Sequence, residues 1–276
     1  VPLIWEAFIP CPDGGRENLD IQKRKLRANT TFSLWQEIVP NFSSIHKMSA
    51  DIPAECGLLM ANTFISDHIA SLHQTPSYSR FCTTADLVPV YKYHKLLLQI
   101  LQSQKTDGRW LLKAPEHQIH LEALMEVYPD ANIIQTHRDP IVCMASTASL
   151  LRALYLVRSN KAFDTLQFEN IVLGQATAER LTHVMNQRRS KIIDEKAIFD
   201  SRYQDLLTDP VCAIERIYNY FGIDLSLDMR AKILDYLRKK PQYRDGEHFY
   251  PVGKTLIKDR ELFSRYQKEY DVPNEV

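Results

Sequence analysis

The chain has 276 residues, enough for one large domain or two small ones with a sizeable hydrophobic core. Its 34 Lys and Arg residues balance its 34 Asp and Glu residues, so the formal net charge is zero. Binding to nucleic acid or to an anionic membrane favours a basic face, so this balance argues against either as the main partner. A local positive pocket for a small anion is compatible with it.

The five cysteines are scattered through the chain, and their spacing matches neither a Cys-x-x-Cys pair nor a Cys/His zinc site; they are Cys11, Cys56, Cys82, Cys143 and Cys212. Such a set is typical of reduced cysteines in a cytoplasmic protein. No apolar run approaches the ~20 residues that span a bilayer, and no signal peptide is visible at the first residue. The sequence therefore predicts a soluble, cytoplasmic protein without a metal site.

Helices are predicted through most of the first hundred residues. Residues 13–47 are charged and helical in parts, and an apolar helix is expected after Glu55, which we interpret as a structural residue at the helix entry. Residues 91–102 form a further predicted helix, and its buried face is expected between Leu96 and Leu101.

Residues 110–150 are predicted to form a strand–helix–strand–helix unit. The apolar run at 110–112 is typical of a strand that is buried on both faces, and residues 131–136 form the second strand. The next helix is expected to carry Pro140 in its first turn. Two strands joined by a helix of this length are most simply parallel neighbours with a right-handed crossover.

Polar side chains gather just after both of these strands. Lys113 and His117 follow the first strand, and His137 and Arg138 follow the second. Ligands of open parallel sheets bind at that edge, and an Arg beside a helix start suits a phosphate or sulfate. Ser146 could add a hydroxyl from the following helix. The alternative is that Arg138 forms a local ion pair and that Lys113 is a solvated strand end.

The rest of the chain is predicted to be mainly helical. The basic run at 186–191 is interpreted as a solvated helix face, and residues 197–203 contain a further strand. Asp209 and Pro210 are expected to start a helix that ends at Gly222. Two more helices are predicted, at 225–240 and around 263–270.

Several segments resemble the sulfotransferases that use 3′-phosphoadenylyl sulfate (PAPS), specifically the bacterial type. They are LLKAPEH (111–117), EALMEVYPDANIIQTHRDP (122–140) with a serine eight residues after the Arg, ECGLLM (55–60), VYKYHKLLLQ (90–99), RYQDLLTDP (202–210) and GEHFY (246–250). The resemblance implies one domain over residues 1–276, with an α/β three-layer fold in which helices flank a central, mainly parallel sheet. It also implies transfer of a sulfonate from PAPS to a hydroxyl or amine of a small-molecule, lipid or glycan acceptor.

The resemblance implies three catalytic candidates. Glu6 is expected to be the general base that takes the acceptor's proton. Lys113 is expected to neutralise charge on the bridging oxygen of the donor. His117 is a second candidate for the base, or it orients the acceptor or serves as a polar residue at the helix start.

The resemblance also implies a donor site without a metal. Arg138 and Ser146 correspond to the pair that binds the 3′-phosphate, and Tyr203 corresponds to a tyrosine near the adenine. Residues 246–254 are expected to complete the site as a loop.

One part of the family's pattern is missing from the sequence. Relatives have a first strand and a Pro-Arg-(Ser/Thr)-Gly-Thr-Thr-like loop that holds the 5′-phosphosulfate, whereas Gly14-Gly15-Arg16 lacks the following hydroxyl residues. We expect the chain to be an N-terminally truncated sulfotransferase. The alternatives are a degenerate homologue that binds a nucleotide or a partner and, less favoured without a Gly-Lys-Ser/Thr loop, a nucleotide kinase.

Overall fold

A computed structural model of the chain describes residues 1–8, 18–103, 108–164, 173–191, 193–239, 252–253 and 257–276. The chain divides into two compact units, of which the first is Val1–Val127 with Ser149–Asn170 and the second is Tyr128–Ala148 with Ile171–Val276. The prediction of one sulfotransferase domain over residues 1–276 stays a prediction.

The described part of the first unit is helical. Its helices are α1 (Ile4–Phe8), α2 (Asn18–Ile38), α3 (Phe42–Ile45), α4 (Cys56–Met60), α5 (Asp67–Leu72), α6 (Pro76–Thr84), α7 (Val88–Gln102) and α8 (Leu121–Val127), with 3-10 turns at Ala61–Thr63 and Pro115–Ile119. Trp35 packs edge-on against Phe32 and Phe42, with ring centroids 5.5 Å apart in both pairs. These aromatic contacts join α2 to α3 around an apolar core.

The second unit contains both described strands. Its elements are β1 (Ile133–His137), α9 (Pro140–Leu156), α10 (Gly174–Arg189), β2 (Ile198–Arg202), α11 (Tyr203–Thr208), α12 (Pro210–Tyr220), α13 (Leu227–Lys239) and α14 (Ser264–Tyr270), with 3-10 turns at Glu195–Ala197 and Asp259–Phe263. The division into units assigns the second half of α9, from Ser149, to the first unit. Of the helices in the described ranges, none is long and apolar enough to cross a membrane.

The strands β1 and β2 form a parallel pair in which Ile133 lies opposite Ile198 and His137 lies opposite Arg202. The predicted strands at 131–136 and 197–203 are thus confirmed. Because the strands are parallel and in this register, the residues that follow them, Arg138 and Tyr203, emerge at the same edge of the sheet.

The strand predicted at 110–112 is wrong. Leu111 is 64% exposed, whereas a strand buried on both faces would have to cover it. The local polar groups have other partners: the Trp110 indole N–H donates to Gln102 Oε1 at 2.9 Å, and the Lys113 carbonyl accepts from the Cys56 N–H at 2.9 Å. The apolar run is therefore a connector, and β1 pairs with β2 rather than with it.

The predicted core face of α7 is only partly correct. Leu97, Leu98 and Leu101 are buried, but Leu96 is half exposed. The buried residues follow His94 at intervals of three and four residues, and a helix places residues with this spacing on one face. Leu96 lies outside that face.

The helix predicted from Asp209 is confirmed. Asp209 Oδ1 accepts a hydrogen bond from the Cys212 N–H at 2.9 Å, and Pro210 is the first residue of α12. Gly222 has a φ of 62°, so the chain leaves the helix through a left-handed residue.

A buried polar network ties β1 to β2, α10 and α14. The fully buried His137 contacts Tyr266 Oη through Nδ1 at 2.9 Å and Asp200 Oδ1 through Nε2 at 2.8 Å, and its ring stacks on Tyr270. Arg188 donates to both oxygens of Asp200, at 2.6 and 3.0 Å. The interpretation of 186–191 as a solvated face is therefore wrong for Arg188, since this side chain is buried to pair with a carboxylate.

The network sets the ionisation of Asp200. Burial alone would raise the pKa of this carboxyl, but the hydrogen bonds from His137 and Arg188 outweigh burial and lower the pKa to about 2. An ordinary Asp has a pKa of about 3.9, so ionised Asp200 stabilises the fold above about pH 4, and this stabilisation is lost as the pH falls towards 2.

Replacing Asp200→Asn should lower the free energy of unfolding at pH 7 by about 2 kcal/mol, because the buried Arg188 loses a charged partner. The loss is limited to this size because Asp200 itself is partly exposed to solvent. The difference from the native protein should shrink as the pH is lowered from 4 to 2. Urea unfolding at several pH values checks this, with the exposed Asp130→Asn as the control. A constant difference down to pH 2 would contradict the assigned pairing.

Candidate functional site

Lys113 lies in the first unit, at the end of the connector that follows α7. Its ammonium forms an ion pair with the carboxylate of Glu55, the residue just before α4. The Lys113 side chain is 67% exposed, so this pair is worth less than about 1 kcal/mol and leaves the ammonium accessible. Glu55, interpreted as a structural residue at the helix entry, makes no side-chain capping hydrogen bond to α4 and pairs with Lys113.

Glu6 and Lys113 are both attached to the segment at residues 50–56. The N–H of Ile4 donates to the carbonyl of Ile52 at 3.0 Å, which fixes α1 on this segment, and the N–H of Cys56 donates to the carbonyl of Lys113. The buried Glu6 carboxylate accepts the Leu3 N–H at 2.7 Å. The structure thus connects the backbone near both predicted residues to one short segment.

His117 lies half-buried against α7. Its Nδ1 lies 2.9 Å from Tyr91 Oη, and its ring is edge-on to that of His94. Burial, with small contributions from His94 and His120, lowers the pKa of His117 to about 3, so this imidazole is neutral at pH 7. A base role for His117 stays a prediction.

Two further histidines lie near the Lys113–Glu55 pair. Burial lowers the pKa of His46; the charge of Glu55 opposes this shift, and the charge of Lys113 adds to it. Burial also lowers the pKa of His68, where the charge of Arg158 adds to the shift and the charge of Glu55 opposes it. Sequence reasoning missed both residues because they are far from Lys113 along the chain and belong to no recognised pattern.

Glu116 is a buried carboxyl that anchors the start of α5. Its Oε2 accepts the Asp67 N–H at 2.8 Å, and the Ser66 hydroxyl lies 3.4 Å from the same oxygen. Burial, reinforced by the charge of Asp67, raises the pKa of Glu116 to about 7. The contacts indicate that Glu116 connects α5 to the turn that follows Lys113.

Arg138 and Tyr203 meet in the second unit, at the edge where β1 and β2 end. The guanidinium carbon of Arg138 lies 4.1 Å from the centroid of the Tyr203 ring, in a cation–π contact. The structure therefore brings together two of the three residues predicted for the donor site.

The guanidinium of Arg138 also has a carboxylate partner. Its Nε donates to Glu275 Oε1 at 2.9 Å and its Nη2 donates to Glu275 Oε2 at 2.8 Å, a bidentate pair that is mostly buried. Sequence reasoning missed Glu275, because only the fold brings residue 275 to residue 138.

Asp139 holds the start of α9 and the segment at residues 271–276. This fully buried carboxylate accepts the N–H groups of Ile141 at 3.0 Å and of Glu275 at 2.8 Å, and Arg260 donates to it at 3.1 Å. Asp139 therefore caps the start of α9.

Ser146 lies half-buried in α9, in the second turn after Pro140. At about 1.5 Å of rise per residue it is about 9 Å along the helix from Pro140, so a ligand that touches both Arg138 and Ser146 would lie along the first turns of α9. The predicted loop at 246–254 lies outside the described residues except for Val252 and Gly253.

The described residues contain no group of three or more His, Cys, Asp and Glu side chains that could hold a metal ion. The described cysteines, Cys56, Cys82, Cys143 and Cys212, are free.

The sequence matches the sulfotransferase family over residues 3–227. Two curated proteins, the omega-hydroxy-beta-dihydromenaquinone-9 sulfotransferases Stf3 of Mycobacterium bovis and Mycobacterium tuberculosis, are each 28% identical over 214 residues. The alignment covers 74% of this chain and 54% of each relative, so the chain spans about half the length of these curated relatives.

Two crystal structures have the same fold as this chain. Sulfotransferase STF9 from Mycobacterium avium superposes with a TM-score of 0.72 at 25% identity, over 99% of this chain and 71% of that one. Sulfotransferase STF1 from Mycobacterium tuberculosis gives a TM-score of 0.73 at 27% identity, over 95% of this chain and 68% of that one. The predicted α/β sulfotransferase fold is confirmed, and the chain belongs to the sulfotransferase family.

Proposed function

We propose that this protein transfers a sulfonate group from PAPS to a hydroxyl, or an amine, of a small-molecule, lipid or glycan acceptor. The observation that carries the proposal is the Arg138 guanidinium, which lies beside the start of α9 and against the Tyr203 ring, in a chain of the sulfotransferase family. A cationic fork beside a helix N-terminus is chemically suited to a phosphate. A cytoplasmic location belongs to the same proposal.

For the acceptor we favour a hydroxyl on a largely apolar molecule. The curated relatives are named for an omega-hydroxy menaquinone, which is a hydroxyl on a lipid-like quinone. The neutral net charge of this chain is compatible with such an acceptor and offers no attraction for a polyanionic one.

At the donor end, Arg138 and Ser146 would bind the 3′-phosphate through a charged fork and a hydroxyl. Tyr203 would lie near the adenine and would also support Arg138 through its ring, as the cation–π contact suggests. Since the Tyr203 ring already holds the Arg138 side chain on one side, less side-chain entropy would be lost when it meets an anion.

At the transfer end, the acceptor oxygen would bond to sulfur while the bond between sulfur and the phosphate oxygen breaks. Glu6 would take the acceptor's proton, and Lys113 would stabilise the negative charge on the departing oxygen. His117, neutral at pH 7, would orient the acceptor or accept the proton in place of Glu6. In-line displacement of this kind needs no metal and no covalent intermediate.

Binding of adenosine 3′,5′-bisphosphate tests the donor site. Replacing Arg138→Ala should weaken binding by about 100-fold, because a charged bidentate contact is lost, and Ser146→Ala by about fivefold, because one neutral hydrogen bond is lost. Isothermal calorimetry on the complete protein measures both, and Arg152→Ala, an exposed Arg of the same helix, is the control. Undiminished binding by Arg138→Ala would contradict the proposed site.

Turnover tests the transfer end and separates an enzyme from a binding homologue. With PAPS and a hydroxylated polyprenyl quinone, Lys113→Ala should lower kcat by about 10²- to 10³-fold and Glu6→Gln by about 10²- to 10⁴-fold. Release of adenosine 3′,5′-bisphosphate is measured, with the exposed Lys92→Ala as the control. A native kcat in Glu6→Gln would assign the base to another residue, and donor binding without any turnover would favour the binding homologue.

A further inference from the structure

Arg138 binds an anion that belongs to its own chain. Glu275 presents two carboxylate oxygens to the Nε and Nη2 edge of the guanidinium, at 2.9 and 2.8 Å. A phosphate offers two oxygens to a guanidinium in the same manner, so the carboxylate resembles the ligand that this Arg is proposed to hold.

The segment at residues 271–276 keeps Glu275 in this position. The Glu275 N–H donates to the buried Asp139, and Arg260 bridges Asp139, the Asn274 side chain and the Val276 carbonyl. Val272 is buried against Met185 and Tyr266 in the core of the unit. These contacts fix the backbone and leave the torsions of the Glu275 side chain as the simplest route of release.

The four charges of the two ion pairs around Arg138 sum to zero. Arg138 is balanced by Glu275, and Arg260 is balanced by Asp139. A phosphate monoester brings a charge of about −1.5 to −2, so it would meet a neutral cluster with a carboxylate already on the guanidinium. Charge-assisted hydrogen bonds from that edge of Arg138 then require the Glu275 carboxylate to leave it.

We propose that Glu275 is an internal competitor for the phosphate site, and that its carboxylate is exchanged for the 3′-phosphate when the donor binds. The inference rests on the proposed function of Arg138 and extends it to the regulation of the same site. The backbone of the 271–276 segment stays on Asp139, and only the Glu275 side chain rotates away.

The exchange has a consequence for ligand selection. The measured affinity of any ligand that needs Arg138 is reduced by the fraction of molecules in which Glu275 holds it. A nucleotide with a 3′-phosphate recovers this cost through its own bidentate contact, whereas adenosine 5′-monophosphate has no group for Arg138. Glu275 should therefore affect the first ligand and not the second.

Isothermal calorimetry on the complete protein tests the exchange with two ligands, adenosine 3′,5′-bisphosphate and adenosine 5′-monophosphate. In Glu275→Gln, adenosine 3′,5′-bisphosphate should bind about tenfold more tightly, and adenosine 5′-monophosphate should bind as it does to the native protein. Glu269→Gln is the matched control, since it removes the same charge from a nearby helix where Glu269 pairs with Arg189. Thermal unfolding of each variant verifies that the fold is intact.

The outcomes separate this inference from the proposed function. Unchanged or weaker binding of adenosine 3′,5′-bisphosphate by Glu275→Gln, with binding still lost in Arg138→Ala, would overturn the exchange and leave the phosphate site standing. An equal gain in Glu269→Gln, or an equal gain for both ligands, would show an effect of net charge alone and would also overturn the exchange.

If the native protein, Glu275→Gln and Arg138→Ala all fail to bind the bisphosphate, the donor site and the exchange are overturned together. If Glu275→Gln is too unstable to titrate, Glu275→Asp keeps the charge but shortens the reach, and native affinity in that variant would likewise overturn the exchange.

Discussion

The arrangement of residues at the edge where β1 and β2 end depends on one buried carboxylate, that of Asp139. A charge without solvent costs several kcal/mol unless it is paired and hydrogen-bonded, and this one is fully buried. Arg260 supplies the opposite charge, and the N–H groups of Ile141 and Glu275 supply hydrogen bonds. The same group therefore starts α9, immediately after Arg138, and fixes the segment that brings Glu275 to that Arg.

A second set of polar contacts fixes the end of β1 at this edge. His137, the last residue of β1, is enclosed by Asp200, Tyr266 and Tyr270, and Arg188 closes the set on Asp200. Every member has a specific partner, so the network fixes one arrangement of β1 against β2. An Arg that follows such a strand begins from a defined backbone position, which is what the proposed recognition of a phosphate requires.

The first unit combines accessible charge with neutral imidazoles. Lys113 and Glu55 are partly exposed, whereas burial keeps His46, His68 and His117 uncharged at neutral pH. In such a setting the ammonium of Lys113 is the cation that a departing oxyanion would meet, and its weak pair with Glu55 costs little to break. This supports the proposed role of Lys113.

The sequence by itself determined the local features of the fold and the family. Short strand-like runs located β1 and β2, the Asp209-Pro210 pair located the start of α12, and ordered motifs identified a sulfotransferase, because each depends on neighbours along the chain. The apolar run at 110–112 led to a wrong strand prediction, because three apolar residues do not show whether a neighbouring strand is available for pairing. Only the tertiary structure decided that Arg188 is buried against Asp200 and that Glu275 holds Arg138. Those contacts join residues that are distant along the chain, and long-range charge pairing leaves no periodic signal in a single sequence.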